Sequence, residues 1–322
     1  MDLALRPMST SQVLDRTFHL YRNNFVLLAG IGALLPAMLL IMQLSFIPLG
    51  FPPRANAKQS PESLAVVLLG YFCCYGVIYL LGAALAGGAT VFGVSKLHLG
   101  QNVTIAQSYK QVFARFWRVL GVIVLLGLIV FGAIFVGELI AIILVAVSAG
   151  SARIFGGSGA IGIGVIFAFI WAGVIFLGAL FLALFLYSKL SLAIPACLLE
   201  QLPVGASLRR SWYLTKNSLW RIMLVHLLTW VLSVILAIAL GMPGQIYTML
   251  LHNKAVLVGI ALQQIGGFFA GVIANPIATT AIALIYYDQR VRKEAFDLQL
   301  MMDAVGQQAQ MQAAATAPPA LG

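Results

Sequence analysis

The fold class of this 322-residue chain can be predicted from residues 119–149, VLGVIVLLGLIVFGAIFVGELIAIILVAVSA. The stretch contains one charged residue, Glu138, and is otherwise almost entirely apolar. It is longer than the roughly 20 residues that an α-helix needs to cross a bilayer. A helix that is apolar on every side does not lie on the surface of a soluble protein, so the stretch predicts a transmembrane helix.

Five similar runs extend this prediction to most of the chain. The six predicted spans lie at about 25–48, 64–95, 119–149, 159–188, 219–240 and 257–287. Because runs of this length cross a bilayer as helices, we predict an all-α integral membrane protein with six transmembrane helices. The second run is longer than a bilayer requires, and Gly87-Gly88 is its predicted point of flexure. Small residues such as Gly267 and Gly271 predict close packing between helices.

The composition excludes the main alternatives to a membrane protein. Hydrophobic residues make up 61% of the chain and charged residues 9%, whereas a soluble domain carries roughly 25% charged residues. So few polar side chains cannot cover a soluble globule, and so hydrophobic a chain does not remain disordered. The net charge of +10 therefore points to anionic membrane lipid as a partner and not to nucleic acid.

The positions of the basic residues predict the orientation of the protein. The 19 Lys and Arg residues lie on the side that also holds both termini, with four exceptions: Arg54, Lys58, Arg153 and Lys254. Because Lys and Arg concentrate in cytoplasmic loops, we predict cytoplasmic termini in a membrane of the bacterial inner-membrane type. Residues 1–303 form the predicted membrane domain, and residues 304–322, rich in Ala, Gln and Pro, form a predicted disordered tail.

A short segment with apolar residues at helical spacing precedes the first, third and fifth spans. Ser9 with Gln12, and Thr104 with Gln107, match the capping-box pattern that begins a helix, and Pro203 suits a first helical turn. We predict three amphipathic helices that lie on the cytoplasmic leaflet, each leading into a span. Each helix, with its outward span and its return span, forms one unit of a predicted threefold internal repeat.

Three sets of motifs resemble one known family. The first set is residues 5–9 (LRPMS), 13–16 (VLDR) and 21–25 (YRNNF), the second is Pro195, Glu200 and residues 206–212 (ASLRRSW), and the third is residues 286–298 (YYDQRVRKEAFDL). Together they resemble the membrane domain that is fused to some glycerophosphoryl diester phosphodiesterases and often occurs alone in bacterial proteins. The resemblance covers nearly the whole chain up to about residue 300 and implies a six-span helical fold.

The resemblance does not imply an activity, because the phosphodiester chemistry of the fused proteins belongs to a separate soluble barrel. The chain ends soon after the third motif, so we expect no such barrel here. That chemistry needs carboxylates for a metal and a histidine acid/base pair. None of the four histidines lies beside carboxylates at ligand spacing. We therefore predict that the protein is not an enzyme, and we predict no metal and no other cofactor.

The basic segment before the fifth span is the leading candidate for a lipid-headgroup or partner contact. It combines cationic residues with tryptophans, which suits lipid phosphates and the membrane interface. The candidate residues are Arg209, Arg210, Trp212, Lys216, Trp220 and Arg221. The alternative interpretation is that these residues only set the topology and anchor the interface.

The acidic residues of the third motif are predicted to form ion pairs. Asp288 and Asp297 have two possible sets of partners: the basic residues of their own motif, or Arg209 and Arg210. Such pairs would join the last span to the loop before the fifth span.

Polar residues inside the predicted spans are the second set of candidates, since such residues are costly in lipid. They are Glu138, His226, Gln263, Gln264 and Asn275. The helical rise places Asn275 near the midplane, about 20 Å from Asp288, with Glu138 near the outer face and His226 near the inner face. Asn275-Pro276 is typical of a structural kink, and a broken helix at that depth also suits a transport site. Gln263 and Gln264 are possible neighbours of Glu138.

Three functions remain open at this stage. The leading hypothesis is a non-enzymatic module that binds or organises anionic lipid, or that holds an enzyme of lipid metabolism. The alternative is a transporter or lipid translocator with a site near Asn275, which requires a polar cavity at the midplane. An intramembrane enzyme ranks last, because it requires Glu138, His226 and Asn275 to converge.

Overall fold

The structure, a computed structural model, describes residues 7–48, 60–155, 158–251, 256–295 and 302. It is about 89% helical, and the described residues contain no strand. The predicted all-α class is therefore confirmed.

Twelve helices and one π-helical turn follow one another along the described chain. They are α1 Thr10–Asn23, α2 Phe25–Gly32, α3 Leu34–Phe46, α4 Pro61–Gly82, the π-helical turn Ala83–Gly87, α5 Gly88–His98, α6 Ile105–Phe113, α7 Phe116–Phe155, α8 Ser158–Leu190, α9 Ala193–Leu199, α10 Val204–Thr215, α11 Leu219–Leu250 and α12 Val256–Glu294.

The long helices match the predicted spans in number and position. Within the described residues, five helical segments are long and apolar enough to cross a membrane, and α2 with α3, bent by 42°, makes a sixth. The predicted flexure near Gly87-Gly88 is a π-helical turn that ends at Gly87. Helix α11, which contains the predicted fifth span, continues past the predicted end of that span near residue 240, through Pro243 to Leu250.

Local hydrogen bonds cap the first turns of two short helices, α1 and α6. Ser9 N–H donates to Gln12 Oε1 at 2.8 Å and Gln12 N–H donates to Ser9 Oγ at 3.3 Å, which confirms the capping box of α1. Thr104 and Gln107 make the same pair of bonds before α6. Pro203 lies immediately before α10 and not inside its first turn. A short helix precedes each of three pairs of long helical segments, with the additional short helix α9 before α10, and the threefold repeat itself stays a prediction.

Helix α12 occupies the centre of the packing, where it contacts α1, α2, α3, α5, α10 and α11. Two prolines fix its contact with the bent pair α2–α3. Gly32 faces Pro276 so closely that a Cβ at Gly32 would overlap the proline ring, and a Cβ at Gly271 would lie 2.9 Å from Cγ of Pro36. Pro36 also has no N–H to donate to the carbonyl of Gly32, which explains the bend between α2 and α3.

Glycines bring α11 and α12 together on both sides of Pro243. A Cβ at Gly244 would lie 2.5 Å from the carbonyl oxygen of Gly259, and a Cβ at Gly266 would overlap Leu240. Such small residues allow two helix backbones to approach closely. The predicted packing role of Gly267 is wrong, because a Cβ there would meet no atom within 4 Å.

Candidate lipid-contact surface and central cavity

A network of charged residues joins α10 to the end of α12 through Glu200. We define the Glu200 network as Glu200, Arg210, Tyr286, Arg290 and Glu294. Arg210 makes a bidentate pair with Glu200, with Nε at 2.8 Å from Oε2 and Nη2 at 2.9 Å from Oε1. Its third nitrogen, Nη1, pairs with Glu294, and the Tyr286 hydroxyl donates to Glu200.

The electrostatics of the Glu200 network hold Arg210 in its charged form. Burial lowers the pKa of Arg210, but hydrogen bonds and charge from Glu294 and Glu200 outweigh burial and raise the pKa above its ordinary value. Arg290 Nε lies 3.2 Å from a Glu294 oxygen and 3.6 Å from a Glu200 oxygen. All three nitrogens of Arg210 therefore face protein carboxylates, so its contact is with the protein.

A second group of polar contacts surrounds Asp288, which is 1% exposed. The Met8 N–H donates to Oδ1 at 2.7 Å, and Oδ2 accepts from Arg221 at 2.7 Å and from Arg292 at 3.0 Å. The predicted pairing of Asp288 within its own motif is confirmed by Arg292. Asp288 does not pair with Arg210, and Arg221 is a partner that sequence reasoning missed. Asp297 lies outside the described residues.

Further contacts complete the predicted link between the last span and the loop before the fifth. Lys293 Nζ donates to the carbonyls of Tyr213 at 2.6 Å and Lys216 at 2.8 Å. Lys189 Nζ lies 4.7 Å above the ring of Trp212. The Lys293 bonds and the pair between Arg210 and Glu294 confirm that α12 is joined to α10, whereas the contact of Lys189 with Trp212 joins α8 to α10.

The remaining residues of the predicted basic segment lie at the surface. Arg209 and Lys216 are exposed and make no side-chain hydrogen bond or ion pair with any described residue. Trp212 is 49% and Trp220 is 73% exposed. Trp117, at the matching place at the start of α7, is 79% exposed and is an equivalent residue that the sequence analysis did not select.

A pocket of about 410 Å³ opens at the start of α11, beside this surface. Its lining is Asn217, Ser218, Leu219, Trp220, Arg221 and Arg292. Nε and Nη2 of Arg221 are buried and have no hydrogen-bond partner in the described part of the chain. We call this feature the α11 pocket.

A central cavity of about 510 Å³ lies between the helices, and Asn275 is one of its lining residues. Its walls come from α2, α3, α4, the π-helical turn, α5, α7, α8, α9 and α12. Most of the lining is aliphatic, and the polar lining residues are Tyr79, Thr90, Tyr187, Ser191, Asn275 and Thr279. No lining residue carries a charge.

The other polar residues predicted inside the spans do not line the cavity. His226 is buried, its Nδ1 lies 2.8 Å from the Ile222 carbonyl oxygen, and its ring packs edge-on against Tyr187 at 4.9 Å. Gln263 lies against Gly241 and Gly244 of α11.

Glu138 is half-buried on α7, and Gln264 is half-buried on α12. In the described part of the chain, neither Gln263 nor Gln264 hydrogen-bonds to Glu138. Of the three residues that an intramembrane enzyme would require, Asn275 lines the central cavity, whereas Glu138 and His226 are not among its lining residues. The described residues also contain no group of three or more His, Cys, Asp or Glu side chains that could hold a metal ion.

Comparisons of the chain with protein-family models, curated proteins and solved structures find no match. The family resemblance therefore stays a prediction that rests on its motifs. All three motif sets contribute to the contacts described above. Met8 from the first set contacts Asp288 of the third, and Arg210 of the second contacts Glu294 of the third.

Proposed function

We propose that this protein is a non-enzymatic, multi-pass membrane module that binds anionic lipid at the α11 pocket. The observation that carries the proposal is that Arg221 and Arg292 share the single carboxylate of Asp288 beside this pocket. Two guanidinium groups and one carboxylate leave a net positive charge. Basic residues near a membrane surface attract anionic lipid by about 1 kcal/mol each.

The hydrogen-bonding state of Arg221 supports an anionic ligand. A buried donor without a partner costs about 1–3 kcal/mol, and Nε and Nη2 of Arg221 are two such donors within the described residues. Phosphate oxygens match the fork geometry of a guanidinium. The exposed indole of Trp220 next to the pocket suits the headgroup layer of a bilayer.

The family and the location belong to the same proposal. The motif sets support membership of the membrane-domain family associated with glycerophosphoryl diester phosphodiesterases, since the first and second sets each contact the third. The excess of Lys and Arg at the end of the bundle that holds α1, α6 and α10 supports placing that end in the cytoplasm, in a membrane of the bacterial inner-membrane type.

The test is native mass spectrometry of the full chain extracted in its own lipids, with an Arg221→Lys variant. Lysine keeps the charge that pairs with Asp288 but lacks the two unpaired guanidinium nitrogens. We expect retention of anionic lipid to fall at least fivefold in Arg221→Lys, with the thermal unfolding temperature changed little.

Two double variants serve as controls. Arg209→Ala/Lys216→Ala removes two exposed charges near the pocket, and Arg22→Ala/Lys110→Ala removes two exposed charges on α1 and α6. We expect the first to weaken lipid retention modestly and the second to leave it near the wild-type level. Equal loss in both double variants, with none in Arg221→Lys, would show that surface charge attracts lipid without a specific site, and no loss in any variant would show that the basic residues act only as topology signals.

The central cavity favours a second candidate, a transporter or lipid translocator with its site at Asn275. Discontinuous helices near the bilayer midplane are a common way to build such sites. Reconstituted vesicles with a fluorescent phospholipid in both leaflets distinguish this candidate. A translocator moves labelled lipid from the inner to the outer leaflet, where a membrane-impermeant quencher can reach it, so it accelerates the loss of fluorescence. An unchanged rate leaves the lipid-binding module as the function.

A further inference from the structure

The irregular parts of four helical segments converge on the central cavity. The break between α2 and α3, the π-helical turn Ala83–Gly87, Pro195 of α9 and Asn275-Pro276 of α12 all contribute residues to its wall or lie next to one that does. Irregular backbone at membrane depth is tolerated where it is buried in protein or lines a cavity. Single π-helical turns also occur frequently at functional sites. The convergence of these irregular segments is therefore typical of a functional site and not only of imperfect packing.

The lining excludes an ion or a charged headgroup from the interior of the cavity. Its lining residues are all uncharged, so a charge placed there would lose its water without gaining a partner, which is costly. The volume of about 510 Å³ lies within the range of about 300–1,000 Å³ that is usual for small-molecule sites with apolar walls. The walls therefore suit an uncharged, mainly hydrocarbon body.

The polar lining residues differ in how they are satisfied. The hydroxyls of Thr90 and Thr279 donate to carbonyls of their own helices, at 2.8 Å to Ala86 and 2.9 Å to Asn275. The exposed side-chain amide of Asn275 and the hydroxyls of Tyr79 and Tyr187, by contrast, make no hydrogen bond to any described residue. An amide in an apolar setting needs a partner, and this one offers two N–H donors and one acceptor.

We propose that the central cavity binds an acyl chain of a lipid, with the uncharged ester or hydroxyl group of that lipid hydrogen-bonded to the Asn275 amide. The aliphatic walls hold the chain, and the amide fixes its polar end. Two sources share this chemistry: a neutral diacylglycerol, or a phospholipid whose headgroup stays outside the cavity. The inference goes beyond lipid binding at the α11 pocket and does not depend on Arg221.

The test uses the full chain in nanodiscs with a diacylglycerol that carries a photoreactive diazirine in one chain. Gly127 on α7 lines the cavity, and a Cβ there meets no atom within 4 Å, so Gly127→Leu places an added side chain at the cavity wall. Gly132 on the same helix also has no atom within 4 Å of such a Cβ but does not line the cavity, so Gly132→Leu is the matched control. We expect cross-linking to fall at least fivefold in Gly127→Leu and to stay unchanged in Gly132→Leu.

A polar substitution and competition experiments test the rest of the proposal. Asn275→Leu is expected to weaken cross-linking of the ester-bearing probe more than that of a diazirine-bearing alkane of the same length. Unlabelled diacylglycerol competes in either case, and equal competition by phosphatidylglycerol identifies the phospholipid as the source. Palmitate in its charged form is expected not to compete.

Two results would overturn the proposal. One is equal cross-linking in wild type, Gly127→Leu and Gly132→Leu, and the other is competition by palmitate as strong as that by diacylglycerol. The Arg221→Lys variant separates the two lipid sites. It is expected to keep cavity cross-linking while losing anionic lipid, so the failure of one proposal is distinguishable from the failure of the other.

Discussion

The two halves of the helical bundle differ in the interactions that stabilise them. At the end that contains α10, Leu284 and Tyr286 of α12 are fully buried in a core cluster with Leu192 and Leu214, and the Glu200 network and the contacts of Asp288 belong to the same end. In the segment Glu62–His98, by contrast, an 18-residue apolar stretch has 0% of its residues buried inside the protein. The first half is stabilised by the protein itself, and the second presents apolar side chains that suit a lipid environment.

Buried polar contacts and closely packed side chains occur in the same part of the protein, around α10, α11 and α12. Charged residues joined by short hydrogen bonds fix the relative positions of α10, α11 and α12, whereas α4 projects side chains such as Leu69, which is 68% exposed. Three substitutions test this difference through the free energy of unfolding, and they are given in order of decreasing effect.

The largest effect is expected for Asp288→Asn. The substitution leaves the guanidinium groups of Arg221 and Arg292 without a buried counter-charge, and breaking such a pair costs about 3–5 kcal/mol of the free energy of unfolding. Unfolding monitored by circular dichroism in detergent measures it. Asp15→Asn on the exposed side of α1 is the control, with an expected change within about 0.5 kcal/mol. Equal effects of the two substitutions would remove the basis for the contrast.

An intermediate effect is expected for Gly32→Ala. Its Cβ would overlap Pro276, and such overpacking costs about 1–3 kcal/mol of the free energy of unfolding. Gly173→Ala is the matched control, because a Cβ at Gly173 meets no atom within 4 Å and alanine favours the helix by about 0.5–1 kcal/mol. The same unfolding assay is expected to show opposite signs, and a stabilised Gly32→Ala would contradict the close contact.

The smallest effect is expected for Leu69→Ala. Because the Leu69 side chain is exposed on α4, its removal changes the free energy of unfolding by about 0.5 kcal/mol or less. Leu284→Ala removes a side chain that is 0% exposed and is expected to cost about 2–5 kcal/mol. Similar losses for these two leucines would show that the far half of the bundle is also packed, for instance against a second copy.

Local patterns explain what the sequence could predict. The capping boxes of α1 and α6 depend on residues three positions apart, and the pair of Asp288 with Arg292 on residues four apart. The spans follow from long apolar runs, which need no knowledge of the tertiary structure. The sequence alone identifies Asn275 as a candidate site residue, because a polar residue deep in such a run is rare.

The errors and omissions arise from contacts between distant segments. Arg221 lies 67 positions from Asp288, and no local pattern links them. Pro243 lies inside α11 although proline disfavours a helix interior, and no local pattern predicts that the helix continues past it. The cavity could not be predicted beyond Asn275, since its walls come from helical segments spread from Gly32 to Ile282.

The mutual contact of Pro36 with Gly271 and of Pro276 with Gly32 has a mechanical consequence. Pro276 of α12 lies against Gly32, and Pro36 of α3 lies against Gly271 of α12, so straightening the bend between α2 and α3 would displace α12. Because Gly32 and Asn275 both line the central cavity, we expect any widening of that cavity to move α3 and the adjoining part of α12 together.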